Sequence, residues 1–184
     1  FTPESNPSAP LKVTYTAMHG VGCEWTRRAF ESFDLPPFIP VKEQVEIDPE
    51  FPTVPFPNPE EGRGALALSI ATADANDSPL ILANDPDADR LAVAEKQPSG
   101  EWRILNGNEI ALLLAHWAWK NFAARHPEVD KSKAFMVSST VSSKILQGMA
   151  RKEGFYFEDT LTGFKWMGNK AYELERQGMT FIFA

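Results

Sequence analysis

The chain has 184 residues, 43% of them hydrophobic and 23% charged, and its formal net charge is −7. This length allows one medium domain or two small ones with a buried core, and the acidic balance argues against nucleic acid and membrane surfaces as partners. The single cysteine, Cys23, excludes an intrachain disulfide and a zinc site built from thiolates, so we expect a reducing, cytoplasmic compartment.

The N-terminal part begins with a predicted strand, turn and helix. Residues 11–16 alternate apolar and polar side chains, as a strand with one buried face does. A glycine turn follows at residues 19–22, and residues 24–33 have the apolar spacing of an amphipathic helix, with Trp25 on its buried face. This order of elements is typical of an α/β unit.

Prolines dominate residues 34–60, and regular elements rarely survive such a density, so a long connection is predicted there. A helix over residues 64–74 comes next, followed by a short buried strand over residues 80–83. A second strand is predicted over residues 91–95, and an acidic segment separates it from the first.

The C-terminal part continues the alternation of helices and strands. Helices are predicted over residues 109–124, 143–153 and 165–177, and strands over residues 134–137, 155–157 and 179–184. Asn108 is the predicted N-cap of the first of these helices, and Gly154 the glycine that ends the second. The predicted buried set of the first helix is Ile110, Leu113, Leu114, Trp117 and Phe122.

These elements predict an α/β fold made of two consecutive small α/β units, each a mixed sheet packed with helices. We place the first unit at residues 1–103 and the second at residues 104–184. The final predicted strand stops without a turn or cap, so we expect the second unit to be truncated and the chain to be a piece of a longer protein.

Three aspartates spaced two residues apart follow the strand at residues 80–83, in the run Asp85-Pro86-Asp87-Ala88-Asp89-Arg90. Carboxylates this close repel one another unless positive charge offsets them, and Arg90 offsets only one. Oxygen ligands favour Mg²⁺, Ca²⁺ or Mn²⁺. A helix-loop-helix calcium site is excluded because Arg90 and Lys96 stand where it needs Gly and Glu. On spacing alone, an exposed acidic turn without a metal remains open.

The acidic run resembles the magnesium loop of the α-D-phosphohexomutase superfamily. The flanking segments strengthen this resemblance: Asn58-Pro59-Glu60 upstream and residues 105–109 downstream are similar to further stretches of that family. Residues 15–22 and 160–168 are most similar to its phosphoglucomutase-2 and phosphopentomutase branch. The resemblance extends from Leu11 to Ala184 and implies the second of four domains and most of the third.

The resemblance implies an intramolecular phosphotransferase that interconverts a sugar 1-phosphate with its 6- or 5-phosphate through a phosphoserine. It implies Mg²⁺ held by Asp85, Asp87 and Asp89, with Arg90 as a catalytic residue that binds phosphate oxygens. It further implies a sugar bisphosphate as activator and sugar phosphates as partners. The loop that would seat the sugar phosphate consists of Thr162, Gly163, Phe164 and Lys165, although many mutases carry His where this chain has Phe164.

Other functions fit the sequence less closely. The serine loop of the family's first domain is not found in this sequence, so the chain alone is expected to be inactive and to bind Mg²⁺ weakly. A non-catalytic module that binds a cation or partner stays open. A phosphatase of the haloacid dehalogenase type is disfavoured because the Asp85-Pro86-Asp87 run comes late in the chain. His19 is predicted to be structural, and the sequence leaves the oligomeric state undetermined.

Overall fold

The computed structural model describes residues 5–184, so the first four residues of the predicted first unit lie outside the described part. The chain divides into two compact units, one extending to Gly107 and the other running from Asn108 to Ala184. Each unit has its own sheet and core. The predicted α/β class is confirmed.

The first unit is a five-stranded mixed sheet in the order β2-β1-β3-β4-β5. Strands β2, β1 and β3 are parallel to one another, whereas β3, β4 and β5 form antiparallel pairs. The strands are β1 (Val13–Thr16), β2 (Ile39–Pro40), β3 (Leu80–Asn84), β4 (Leu91–Lys96) and β5 (Trp102–Leu105), and the helices are α1 (Gly22–Ser32) and α2 (Ala67–Ala75).

Two strands of this sheet were not predicted from the sequence. Strand β2 lies inside the proline-rich segment and includes Pro40, which is tolerated because β2 is an edge strand. Strand β5 has only four residues, too few to show a clear alternation. Both strands form because neighbouring strands of the sheet already offer partners for their backbone groups.

The main core of the first unit lies on one face of the sheet. Met18 and Leu66 are fully buried there, together with Ile81 from β3 and Ala94 from β4, and Trp102 from β5 completes the cluster. Ile81 and Ala94 are among the alternate residues of β3 and β4 that are buried, so each of these strands turns one face toward this core.

Asp74, in α2, ties that helix to the antiparallel part of the sheet. Its Oδ1 accepts hydrogen bonds from Lys96 Nζ at 2.7 Å and from Trp102 Nε1 at 3.1 Å. The hydrogen bond from Lys96 is the main cause that lowers the pKa of Asp74 below its ordinary value. A lowered carboxyl pKa stabilises the fold at neutral pH, and this stability is lost as the pH falls through the folded-state pKa.

We therefore expect Asp74→Asn to lower the melting temperature at pH 7 and to differ less from the wild type as the pH falls. The amide oxygen still accepts from Trp102, so the change isolates the charge of the carboxylate. Thermal unfolding from pH 7 to pH 3 measures the effect, with the exposed Asp77→Asn as the matched control. A difference between Asp74→Asn and wild type that stays constant with pH would contradict the prediction.

The second unit is a three-stranded parallel sheet in the order β7-β6-β8. Every residue of the central strand β6 is buried. Trp119, Phe155 and Met136 form the core between the sheet and its helices. The strands are β6 (Ala134–Ser139), β7 (Tyr156–Thr160) and β8 (Thr180–Phe183), and the helices are α3 (Gly107–Arg125), α4 (Ile145–Glu153) and α5 (Phe164–Arg176).

One prediction about α3 is wrong and another is right only in part. Asn108 does not cap the helix, because α3 already begins at Gly107, and the Asn108 Oδ1 accepts instead from the backbone N–H of Ser143 at 2.8 Å. The predicted buried face is right only at Phe122, which packs against the core beside the buried Ala115 and Trp119. Leu113, Leu114 and Trp117 of the predicted set are exposed. An apolar helix offers more than one plausible stripe, and only the sheet selects one of them.

The predicted packing of Trp25 is also wrong, since the residue is 64% exposed and its ring lies beside the guanidinium of Arg28. The predicted end of α4 is confirmed. Gly154 adopts a left-handed conformation with φ 92°, and its N–H bonds the carbonyl of Ala150.

Candidate metal centre

The three aspartates of the acidic run come together in the hairpin between β3 and β4. One carboxylate oxygen from each of Asp85, Asp87 and Asp89 lies within 4.8 Å of the others. Asp85 is 1% exposed, whereas Asp87 and Asp89 face solvent. Three oxygen donors at this spacing, two of them open to solvent, fit a hard cation such as Mg²⁺ that keeps part of its water shell.

Arg90 closes the hairpin onto Asp85. Its backbone N–H donates to Asp85 Oδ1 at 3.0 Å, and its Nε donates to Oδ2 at 2.8 Å. Burial alone would raise the pKa of Asp85, but these hydrogen bonds and the charge of Arg90 outweigh it and hold the pKa below its ordinary value. Asp85 is therefore an ionised carboxylate near neutral pH.

Asp87 has the opposite electrostatic environment. Its hydrogen-bonding contact with Asp85, together with the negative charges of Asp85 and Asp89, raises the pKa of Asp87. The Arg90 Nε lies 3.8 Å from Asp89 Oδ1, but the charge of Arg90 is shared with Asp85. The hairpin thus holds more negative charge than its own arginine offsets, and a cation would relieve the excess.

A turn between β1 and α1 packs against the hairpin at Pro86. The backbone N–H of Val21 donates to the carbonyl of Pro86 at 2.8 Å. A Cβ on Gly20 would lie 2.2 Å from both Cα and O of Pro86, so only glycine fits there. Ala88, at the hairpin tip, has a positive φ of 61°. The sequence showed the glycine turn, but it gave no sign that the turn touches the acidic run.

Asn84 is a further residue of the site that was not predicted. It ends β3, and its side chain accepts from the hydroxyl of Tyr15 at 2.9 Å and donates to the backbone carbonyl of Arg90 at 2.7 Å. Its position directly before Asp85 was the only available signal in the sequence.

His19 has a structural role, as predicted. The residue is 4% exposed, with its Nδ1 3.2 Å from the carbonyl oxygen of Glu46 and its Nε2 2.8 Å from Thr53 Oγ1. Both ring nitrogens are thus used within the first unit, in holding the proline-rich segment against the turn. The residue adopts a positive φ of 62°, which places it in the bend that presents Gly20 to Pro86.

The predicted substrate loop lies in the second unit, between β7 and α5. Thr162, Gly163, Phe164 and Lys165 are all exposed, and Phe164 is 85% exposed. Gly163 precedes α5 with φ 112°, and the Lys165 Nζ lies 5.5 Å from the ring centre of Trp166. The loop therefore presents the first N–H groups of α5 and one lysine to solvent, an arrangement that can receive an anion.

The first unit is an α/β domain with a carboxylate loop suited to a hard cation, and the second is a parallel α/β domain. Two domain models match the chain: Phosphoglucomutase/phosphomannomutase, alpha/beta/alpha domain II over residues 1–100, and domain III of the same family over residues 106–181. The chain belongs to the phosphoglucomutase/phosphomannomutase family, which confirms the resemblance drawn from its motifs.

Curated relatives are similar over nearly the whole chain. The phosphopentomutase of Mus musculus is 54% identical over 180 residues, which cover 97% of this chain and 29% of the relative. The glucose 1,6-bisphosphate synthase of Homo sapiens is 46% identical over 187 residues, covering 100% of this chain and 30% of the relative. The chain thus spans less than a third of the length of these enzymes.

Solved structures share the fold. A candidate phosphomannomutase from Thermus thermophilus has a TM-score of 0.69 at 20% identity, covering 98% of this chain and 37% of that one. The N-acetylphosphoglucosamine mutase of Aspergillus fumigatus, in complex with GlcNAc-6P and magnesium, has a TM-score of 0.60 at 19% identity, with 89% and 33% covered. Among the described residues, no helix combines the length and apolarity needed to cross a membrane.

Proposed function

We propose that this chain is the metal-binding and part of the sugar-binding portion of an intramolecular phosphotransferase. The whole enzyme would interconvert a sugar 1-phosphate and its 6- or 5-phosphate in the cytoplasm, with a sugar bisphosphate as activator. The observation that carries this proposal is the convergence of three carboxylate oxygens within 4.8 Å in the hairpin at residues 85–90. The similarity to a phosphopentomutase and a glucose 1,6-bisphosphate synthase supports it.

In this proposal Asp85, Asp87 and Asp89 hold Mg²⁺, and the ion, when bound, neutralises charge on the phosphoryl group. The chemistry of the donor set fits, and a solved structure of the same fold carries magnesium. Arg90 contributes in two ways. Its Nε and N–H keep Asp85 ionised, and its side chain, 44% exposed, is available to phosphate oxygens.

The exposed loop at Thr162, Gly163, Phe164 and Lys165 would seat the sugar phosphate. The N–H groups at the start of α5 offer donors to an anion, and Lys165 adds a positive charge. Phe164 presents an exposed apolar surface, and a sugar ring can pack against such a surface.

We expect Lys165→Ala, made in the full-length protein, to raise KM for the sugar phosphate about tenfold, because a charged hydrogen bond contributes about 1.5–3 kcal/mol. The value of kcat should change much less if Lys165 binds ground state and transition state alike. Steady-state kinetics with Lys152→Ala, an exposed lysine of α4, as control measures the effect. Equal KM values for the two variants would contradict the assignment.

An activity assay of the full-length protein that contains this chain tests the proposed function. Ribose 1-phosphate and glucose 1-phosphate are supplied separately, with Mg²⁺ or with EDTA, and formation of the 5- or 6-phosphate is followed. Magnesium-dependent turnover is expected for the full-length protein and none for the 184-residue chain alone. No turnover of either sugar by the full-length protein would overturn the proposal and favour a non-catalytic binding module.

A further inference from the structure

Asn84 connects the acidic hairpin to the neighbouring strand of the sheet. Its Oδ1 accepts from the Tyr15 hydroxyl at 2.9 Å, and its Nδ2 donates to the Arg90 carbonyl at 2.7 Å. Tyr15 belongs to β1, next to β3, and is only 2% exposed. The three residues therefore form one chain of hydrogen bonds from the sheet interior to the last residue of the acidic run.

The ring of Tyr15 is held in place by contacts other than these hydrogen bonds. It packs 4.9 Å, centre to centre, from Phe38, and the residues around it include the buried Cys23. The hydroxyl reaches Asn84 through a gap left by Gly22, since a Cβ there would lie 2.4 Å from the Tyr15 oxygen and 3.4 Å from Ala88 Cβ. A fixed donor thus approaches the hairpin through a space that any larger residue would close.

These hydrogen bonds affect the carboxylates through the contacts that Arg90 makes. Its N–H and Nε hold the two oxygens of Asp85, while its carbonyl is held by Asn84. Loss of the Asn84 contact would free the end of the hairpin at which Asp85 and Asp89 are positioned relative to each other.

We propose that Tyr15 and Asn84 are positioning residues for the metal centre, acting through Arg90 without contacting the ion. The hydrogen-bond chain pre-organises the three carboxylates, so its loss weakens metal binding without unfolding the unit. Residues that orient metal ligands typically contribute about 10–100-fold to metal affinity. This inference rests on the proposed function only in taking the hairpin to be a metal site.

The test uses Tyr15→Phe, which deletes one oxygen and keeps the packed ring. Mn²⁺ serves as the probe because it accepts the same oxygen ligands as Mg²⁺ and its free form is counted directly by electron paramagnetic resonance. In the full-length protein, the Kd for Mn²⁺ should rise about tenfold, while the melting temperature in EDTA stays close to that of the control. The control is Tyr156→Phe, which deletes an exposed hydroxyl bonded to Glu158 in the second unit.

A double-mutant cycle separates positioning from general destabilisation. If Tyr15 acts through Asn84, adding Tyr15→Phe to Asn84→Ala should change the Kd less than twofold, because the path is already broken. Independent, multiplying effects would overturn the inference, and so would an unchanged Kd in Tyr15→Phe. If Tyr15→Phe also lowers the melting temperature in EDTA, the Kd values of the double-mutant cycle still distinguish positioning through Asn84 from an independent effect.

Different results would overturn the proposed metal site and the positioning role of Tyr15 and Asn84. If the wild type binds no Mn²⁺, or if Asp87→Asn binds it as tightly as the wild type, the metal site itself is wrong and the inference falls with it. If binding is lost in Asp87→Asn but unchanged in Tyr15→Phe, only the positioning role is overturned.

Discussion

Asp87→Asn is expected to shift the stability of the protein in opposite directions with and without magnesium. In EDTA the variant should melt at a higher temperature than the wild type, and in excess Mg²⁺ at a lower one. Turnover of the sugar phosphate by the full-length protein should fall by about 10²-fold or more, the scale on which loss of one group that stabilises transition-state charge is felt.

The higher melting temperature expected for Asp87→Asn in EDTA follows from the environment of Asp87. Its contact with Asp85 and the charges of Asp85 and Asp89 raise its pKa, so its ionised form is disfavoured in the folded state. A carboxyl whose folded pKa is raised contributes stability at low pH and loses it as the pH rises. At pH 7 the metal-free wild type therefore carries a cost that the neutral amide removes.

Under the proposed function, magnesium binds the hairpin of the folded wild type and so reverses the order of the two melting temperatures. At a concentration 100 times Kd, a ligand of the folded state alone stabilises it by about 2.7 kcal/mol. The variant, with one carboxylate fewer, gains less. Calorimetric unfolding in EDTA and in Mg²⁺ measures both signs, with Asp77→Asn in an exposed turn as control. Equal magnesium-induced shifts for wild type and Asp87→Asn would show that the hairpin does not bind the ion.

Gly20→Ala is expected to destabilise the first unit by about 3 kcal/mol and also to weaken its binding of Mn²⁺. The added methyl carbon would lie 2.2 Å from two backbone atoms of Pro86, and backbone atoms cannot rotate away as a flexible side chain can. Overpacking of a tight contact costs about 1–3 kcal/mol, and a contact between two backbone segments is at the upper end of that range. Relief would push the hairpin away from the turn that donates the Val21 N–H.

Gly64→Ala is the matched control for Gly20→Ala. Gly64 lies in the same unit, and a Cβ built on it meets nothing within 4 Å. Both changes reduce the entropy of the unfolded chain by the same amount, so their difference in urea unfolding reports the contact with Pro86 alone. If Gly20→Ala is as stable as Gly64→Ala and binds Mn²⁺ equally well, the turn does not support the hairpin.

Strands β3 and β4 were predictable because each begins as a short, continuous apolar run bounded by polar or turn residues. Their positions in the chain were therefore evident, and with them the acidic run between them. Helix α3 was located, but most of its predicted buried face was not the one that packs, because apolar residues occur around much of its surface. The face is chosen by what the sheet offers, which no local pattern contains.

The carboxylate cluster could be predicted because all three of its aspartates lie within five consecutive residues. At that spacing, local geometry alone brings the side chains together, and the electrostatic need for a cation follows from their charge. The family, too, was evident from the residues of this run and of its flanking segments.

The supports of the acidic hairpin depend on contacts between residues far apart in the sequence. Tyr15 and Asn84 are 69 positions apart, and Gly20 meets Pro86 only because β1 pairs with β3 in the folded sheet. The sequence by itself determined which residues carry the charge and where most of the strands and helices lie, apart from β2 and β5. Only the tertiary structure decided which neutral groups hold those charges in place, because side-chain and backbone contacts across a sheet follow from strand order and register, and these are properties of the whole unit.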